Sequence, residues 1–155
     1  MSNLQEKLTA IDRNIVIEDT VRLIDNEVAS KSGLSGMAIK GGYKAVKKLK
    51  KGRMIHKAVN ILLDDFTSAL SPLHDGYREQ DPVKAKTFEA YLLQNDKQAS
   101  QALLTITDTK IKQAENKIII STYKKLRGQA EKHVTDALPG VGRMIDKHVP
   151  VTFEN

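Results

Sequence analysis

Apolar residues recur at intervals of three and four positions along most of this 155-residue chain. The most regular run lies between Met54 and Leu70, and its apolar stripe consists of Ile55, Ala58, Val59, Leu62, Phe66 and Ala69. This spacing matches the 3.6-residue turn of an α-helix. No segment bounded by turn residues alternates apolar and polar side chains as a half-buried strand would. The pattern therefore predicts an all-α protein without a β-sheet.

Glycines, prolines and capping side chains set the predicted helix boundaries in the first half of the chain. We expect a short helix over 3–12 and a longer one over 15–30. A basic helix over 36–51 follows, and Gly52 is its expected stop. The helix over 54–70 is expected to end or kink at Ser71-Pro72, before a polar surface loop over 74–82.

The second half divides in the same way. Pro82 suits the first turn of a helix that carries Val83 and Phe88. Residues 97–138 are predicted to be helical, with a bend or loop near 107–109 or at Gly128, because one straight helix would be too long for a compact domain. Pro139-Gly140 is expected to stop this segment before a last helix over 141–148. We predict one compact domain over residues 1–155 with six to eight helices.

Composition narrows the class of protein. The chain has no cysteine, so disulfides and thiolate metal sites are excluded. It has no apolar run long enough to span a membrane and no apolar signal region near Met1. These features lead us to expect a soluble, cytoplasmic protein.

One part of the chain accounts for its net positive charge. The formal net charge is +6, yet the window from Val28 to Leu63 contains nine Lys or Arg residues and no Asp or Glu. Without this window the chain would be net negative. Charge of one sign concentrated in this way bears on partners rather than on the fold.

The predicted basic helix separates its lysines from its apolar residues. At about 100° per residue, one arc holds lysines and the opposite side holds Ile39, Tyr43 and Val46, together with the small residues Ala38, Gly42 and Ala45. Gly41 and the other small residues would let a second helix approach closely. The candidate anion-binding residues are Lys40, Lys44, Lys47, Lys48, Lys51 and Arg53. A solvated lysine face on a core helix is the alternative.

The composition of this helix also indicates which kind of anionic partner is favoured. Its apolar side is poor in Trp, Phe and Leu, which favours packing against protein over insertion into lipid. A nucleic acid or an acidic protein is therefore the favoured anionic partner, ahead of a membrane surface. Lysine outnumbers arginine, so nucleic-acid contacts would be mainly electrostatic. The sequence leaves a homo-oligomer open.

The segment Val28–Ile39 resembles a helix-turn-helix motif. Ala29 would lie in the first helix and Gly33 at the turn, with Leu34 facing inward beside Ile39. The resemblance implies that four residues of the second helix face the major groove: Ser35, Gly36, Met37 and Lys40. DNA binding through Ala29–Lys51 is accordingly the alternative function, although lysine, serine and glycine suit phosphate contacts better than base contacts.

Catalytic and metal-binding motifs are weak. Gly36–Gly42 lacks the Lys-Ser/Thr pair of a phosphate-binding loop and has no preceding strand. His56 with Asp64 or Asp65, His74 with Asp75, and His133 with Asp136 supply metal-ligating atoms without forming a compact sequence cluster. We therefore expect no catalytic residue, cofactor or metal, and we keep a small hydrolase or metal-dependent enzyme as a third alternative.

Beyond single motifs, the chain resembles an uncharacterised family of small soluble prokaryotic proteins. The segments that carry this resemblance are residues 31–36, 38–43, 57–59, 65–66, 69–72, 102–108 and 137–139. It implies a helical fold and brings no assigned activity or cofactor. The function that we favour from the sequence is a non-enzymatic interaction protein with a cationic helix face over Lys40–Lys51.

Overall fold

The computed structural model describes residues 3–80 and 84–151, and every regular element in these two ranges is a helix. The α-helices are α1 (Leu4–Thr9), α2 (Arg13–Ser30), α3 (Gly33–Lys47), α4 (Met54–Glu79), α5 (Phe88–Gln94), α6 (Asp96–Ile111), α7 (Lys117–Leu126) and α8 (Ala130–His148). A short 3₁₀ turn, Arg127–Gln129, joins α7 to α8. The prediction of an all-α fold with six to eight helices is confirmed.

Helix α4 is the element against which most of the others pack. Its amino-terminal half lies on α2, where Val59 joins Ile17 and Val21 in a small apolar cluster. Its carboxyl-terminal half enters the main core, which it shares with α1, α5, α6 and α8. The buried side chains of that core are Leu4, Leu8, Leu70, Leu73, Tyr77, Phe88, Leu92, Ala99, Leu103, Leu138, Ile145 and Val149.

Helix α4 does not end near Ser71-Pro72, which was one of the two outcomes predicted there, and the loop predicted over 74–82 is wrong for residues 74–79. The helix continues through Pro72 to Glu79, and it buries His74 and Tyr77. A proline removes one backbone hydrogen bond and crowds the preceding turn. Here Leu70 and Leu73 are buried on either side of it, so packing stabilises the helix both before and after the proline. Pro82 and Val83 lie outside the described residues.

Helix α8 also passes through a proline, so the predicted stop at Pro139-Gly140 is wrong. Gly140 and Gly142 are packing positions: a Cβ on Gly140 would strike Leu23 of α2, and one on Gly142 would lie 2.8 Å from the backbone nitrogen of Glu89. Close approach of α8 to α2 and α5 explains both glycines better than a turn does. The helix is continuous because its neighbours pack on both sides of the proline.

The long helical segment is divided, as predicted, but at slightly different places. Helix α6 runs to Ile111, past the expected break near 107–109. The break lies just before Asn116, whose Oδ1 accepts hydrogen bonds from the amides of Ile118 and Ile119 at 2.9 and 3.2 Å and so begins α7. The second predicted interruption, at Gly128, coincides with the 3₁₀ turn.

The predicted basic helix has different ends from those expected. Helix α3 begins at Gly33, not at residue 36, and it ends at Lys47, not at Lys51. Lys50 and Lys51 adopt left-handed backbone conformations, with φ of 54° and 57°, and Gly52 follows with φ of 83°. These residues reverse the chain so that α4 can return along α2. We call residues 48–53 the lysine turn.

Candidate anion-binding surface on helix α3

Helix α3 is fixed at the edge of the fold by its half-buried side. Ile39, Tyr43 and Val46 are partly buried, as predicted, but none of them joins either apolar cluster. The Tyr43 hydroxyl donates a hydrogen bond to Asp25 of α2. The Ser35 hydroxyl contacts His133 Nε2 at 2.9 Å and bonds the Gln129 side chain. Polar contacts therefore anchor this helix more than apolar burial does.

The small residues of α3 have different surroundings. A Cβ on Gly42 would lie 2.8 Å from Thr122 Cγ2, so α7 approaches α3 at this position. A Cβ on Gly41 would meet nothing within 4 Å. Ala38 and Ala45 are exposed to solvent. The predicted close approach of a second helix therefore holds for Gly42 and is wrong for the other three positions.

Three predicted anion-binding lysines lie on one side of α3. Lys40 and Lys44 are exposed, and within the described part of the chain no carboxylate pairs with either of them. Lys47 differs, because its ammonium lies 3.2 Å from Asp25 Oδ1 and 5.7 Å from the centroid of the Tyr43 ring. The hydrogen bonds from Tyr43 and Lys47 lower the pKa of Asp25. Asp25 is thus an anion at neutral pH and partly neutralises Lys47.

The remaining predicted residues belong to the lysine turn rather than to the helix. Lys48, Lys51 and Arg53 are exposed, and no ion pair to them occurs in residues 3–80 or 84–151. Lys50 is equally exposed and lies between them. The helical arc did not include Lys50, because only the left-handed turn brings it outward. With Lys40 and Lys44, the turn forms what we call the cationic surface: Lys40, Lys44, Lys48, Lys50, Lys51 and Arg53.

A cleft of mixed charge bounds this surface on the α2 side. It has a volume of about 250 Å³, and its lining includes Glu18, Asp25, Lys47 and His56. Glu18 Oε1 lies 3.2 Å from His56 Nε2. The carboxylates of Glu18 and Asp25 therefore place negative charge along this side of the cationic surface.

The outward side of α3 is apolar at its amino-terminal end. Leu34 and Met37 are 87% and 70% exposed, the highest values among the large hydrophobic residues of the described ranges. The inward orientation of Leu34 implied by the helix-turn-helix resemblance is therefore wrong. The Ser35 side chain contacts His133, and a Cβ added to Gly36 would lie 2.7 Å from the Lys31 backbone, so Gly36 is closely packed. Of the four groove-facing residues that the resemblance implied, Met37 and Lys40 are the exposed ones.

The pair formed by Ser35 and His133 was not predicted. Burial and the Lys31 ammonium lower the pKa of His133, so its imidazole is neutral at neutral pH. Its Nδ1 has no hydrogen-bond partner within the described residues. A serine–histidine nucleophile needs a third group to orient the imidazole. Asp136 instead pairs with Lys31 at 3.4 Å, so the contact observed is one that attaches α3 to α8.

The histidines and aspartates considered as metal ligands are held by other partners. Asp64 pairs with Arg13 at 3.0 Å and Asp65 with Lys110 at 3.3 Å, and neither contacts His56. His74 is enclosed by aromatic rings. In the ranges that the structure covers, no three potential ligands come together.

Comparison with known proteins identifies a family. The family model DUF6918, described as a family of unknown function, matches residues 4–149. The chain belongs to this family. Neither the curated proteins nor the solved structures gave a match to the DUF6918 chain. Among its described helices, none combines the length and the apolar character needed to cross a bilayer.

Proposed function

We propose that this DUF6918 protein is a non-enzymatic interaction protein that binds an anionic partner through its cationic surface. The observation that carries the proposal is the set of six neighbouring cations, on α3 and the lysine turn, for which the described chain supplies no carboxylate partner. The acid-free window around them keeps local carboxylates away.

Several cations elsewhere on the molecule are held in ion pairs. Arg127 contacts Asp108 at 2.8 Å, Arg143 contacts Glu89 at 3.0 Å, and Lys147 contacts Asp19 at 3.1 Å. Such pairs cancel much of each other's field at a distance. The electric fields of neighbouring unpaired cations add, so that together they attract anionic partners. Salt screens this attraction and weakens it.

The backbone of the lysine turn supports the same proposal. For residues other than glycine, the left-handed conformation costs about 1–2 kcal/mol each. Lys50 and Lys51 both adopt it, and they do so between two further cations. Strain of this kind is concentrated at functional sites. Here the strained residues are exposed and lie within the run of cations from Lys48 to Arg53.

Charge reversal tests the proposal. The variant Lys40→Glu/Lys44→Glu/Lys51→Glu changes the cationic surface, and Lys84→Glu/Lys86→Glu/Lys97→Glu changes three exposed lysines elsewhere. Both variants lower the formal net charge from +6 to zero. Binding is measured at about 25 mM salt to duplex DNA, poly-L-glutamate and anionic vesicles. We expect the first variant to lose about 100-fold or more in affinity for at least one probe, at about fivefold per lysine removed and more for reversal.

The control variant should bind that probe within about threefold of the natural protein. Affinity should also fall steeply with salt, since bound cations displace counterions. Equal losses in the two variants would mean that only net charge matters. No binding to any of the three probes would contradict the proposal directly.

Duplex DNA is included because one observation favours the runner-up function. Gly33 has φ of +74° between α2 and α3, which provides the tight turn of a helix-turn-helix. Since Ser35 and Gly36 are occupied by protein contacts, a duplex would be held mainly through its phosphates. A cytoplasmic location, favoured by the cysteine-free sequence, is part of this proposal.

A further inference from the structure

Helix α3 presents an uncharged stripe to solvent beside its lysines. The stripe consists of Leu34, Met37, Ala38, Gly41 and Ala45, which lie within about 100° of one another on a helical projection, and all five are exposed. The stripe is roughly 16 Å long at 1.5 Å per residue. Its two large side chains lie in the first turns, and they are more exposed than any other large hydrophobic residue of the described ranges.

The lysines flank this stripe on one side. On a helical projection, Lys40 and Lys44 lie about 80–120° around α3 from the stripe. The opposite flank contains Gly42, where α7 packs. The lysine turn extends the positive charge beyond the carboxyl-terminal end of the helix. The exposed part of α3 is therefore amphipathic, with apolar groups and cations directed to the same side of the molecule.

We propose that α3 lies on an anionic lipid bilayer, with Leu34 and Met37 inserted at the boundary of the acyl chains and the cationic surface on the headgroups. This inference rests on the proposed function and names the anionic partner. An amphipathic helix with cations beside its apolar side chains binds such interfaces through burial of its apolar side chains and through electrostatic attraction to the anionic headgroups. The sequence argument against lipid concerned the side that carries Ile39, Tyr43 and Val46, and it did not include Leu34 and Met37, the two large side chains that the structure exposes.

Other occupants match the stripe less well. A nucleic acid offers phosphates to the lysines but no continuous apolar layer beside them for Leu34 and Met37. A second copy of the chain would bring two acid-free surfaces together, and their lysines would repel. A bilayer containing anionic lipid supplies both complements on one surface. The two apolar side chains alone are too few for firm attachment, so binding should depend on the anionic lipid.

Vesicles of stated composition test the inference. The natural protein is added to phosphatidylcholine vesicles with or without 30% phosphatidylglycerol, and bound protein is measured by flotation. We expect binding to the anionic vesicles and none to the neutral ones. The variant Leu34→Ser/Met37→Ser keeps every charge, and we expect it to bind anionic vesicles about tenfold more weakly or worse. The matched control Ile15→Ser/Ile61→Ser changes two half-exposed isoleucines elsewhere and should bind as the natural protein does.

Insertion itself has a separate readout. Because the chain has no cysteine, a polarity-sensitive fluorophore can be attached at Met37→Cys or, as the control, at Ile61→Cys. We expect a blue shift on anionic vesicles for the first label only. Binding without that shift, or undiminished binding by Leu34→Ser/Met37→Ser, would overturn the inference. Duplex binding without vesicle binding would overturn it and leave the proposed function standing, whereas failure of both probes together with poly-L-glutamate would overturn both.

Discussion

His74 is a titratable residue in an apolar, aromatic environment. Its side chain is fully buried, with ring centroids 5.8 Å from Tyr77 and 4.9 Å from Phe88. Within the described residues, neither ring nitrogen has a hydrogen-bond partner. Burial lowers the pKa of His74 from 6.5 to about 4, and Arg78 and Lys7 act in the same direction. The folded protein therefore holds this imidazole neutral.

This environment predicts a loss of stability in mild acid. Below pH 6.5 the unfolded chain takes up a proton at His74 that the folded chain refuses until about pH 4, so protonation favours unfolding across that window. The contribution reaches about 3 kcal/mol at its lower end. In His74→Leu, which preserves volume, the free energy of unfolding should vary less between pH 7 and pH 4, as measured by urea denaturation at several pH values.

The comparison separates His74 from the other titrating groups. His133 also has a lowered pKa, but it is present in both proteins and cancels in the difference. The pKa values of Asp19 and Asp108 are lowered from the ordinary 3.8 by their hydrogen-bond partners. The stability that these carboxylates contribute is therefore lost mainly below that pH, outside the range compared. Parallel stability curves for the natural protein and His74→Leu over pH 4–7 would show that His74 does not couple folding to pH.

Adjacent glycines in α3 provide the sharpest test at the scale of one element. Gly41→Ala adds a methyl group into open space, and it should raise the free energy of unfolding by about 0.5–1 kcal/mol through helix propensity. Gly42→Ala gains the same propensity but drives a Cβ toward Thr122 of α7, so it should be destabilising. Chemical denaturation of the two variants measures the difference.

The contrast depends on the register of α3 against α7. If both substitutions stabilised the protein equally, Gly42 would not lie at a helix crossing. If both destabilised it, the helix would not continue through this pair. Gly41 acts as the matched control, because the two positions differ by one residue and share the same local helix.

Whether a helix continues at a proline or glycine could not be decided from local sequence. Apolar spacing identified the helical segments, because burial on one face imposes that spacing directly. Pro72 was predicted to end or kink its helix and Pro139 to stop its segment, since each removes a backbone hydrogen bond. Both lie inside helices because Leu73 and Ile145 are buried beyond them. That burial depends on helices distant in sequence, which no local pattern contains.

For the molecule as a whole, the segment that carries the positive charge was predictable, but the arrangement of its cations on the surface was not. The lysine-rich window follows from composition, and Lys40 and Lys44 lie on one side of α3 because a helical projection is sufficient there. The left-handed lysine turn and the Lys47–Asp25 pair depend on how α4 and α2 pack. The exposed stripe headed by Leu34 was missed, because an apolar side chain in an amphipathic pattern is normally assigned to the core.

The distribution of unpaired and paired cations indicates which region of this DUF6918 protein would bind an anionic partner. Between Lys40 and Arg53 the unpaired cations follow one another in a segment without Asp or Glu, whereas Lys110, Arg127, Arg143 and Lys147 on α6, α7 and α8 form ion pairs. A partner of negative charge should therefore recognise one region rather than the whole surface.

The most direct measurement is a residue-resolved map of the bound surface. At 17.2 kDa the protein suits amide NMR, and it can be titrated at low salt with duplex DNA and with bicelles containing phosphatidylglycerol. We predict that the amide shifts that saturate with the anionic probe lie between Gly33 and Arg53, and that added salt reverses them. Shifts spread evenly over all lysine-bearing helices, or centred outside α3 and the lysine turn, would contradict the central claim.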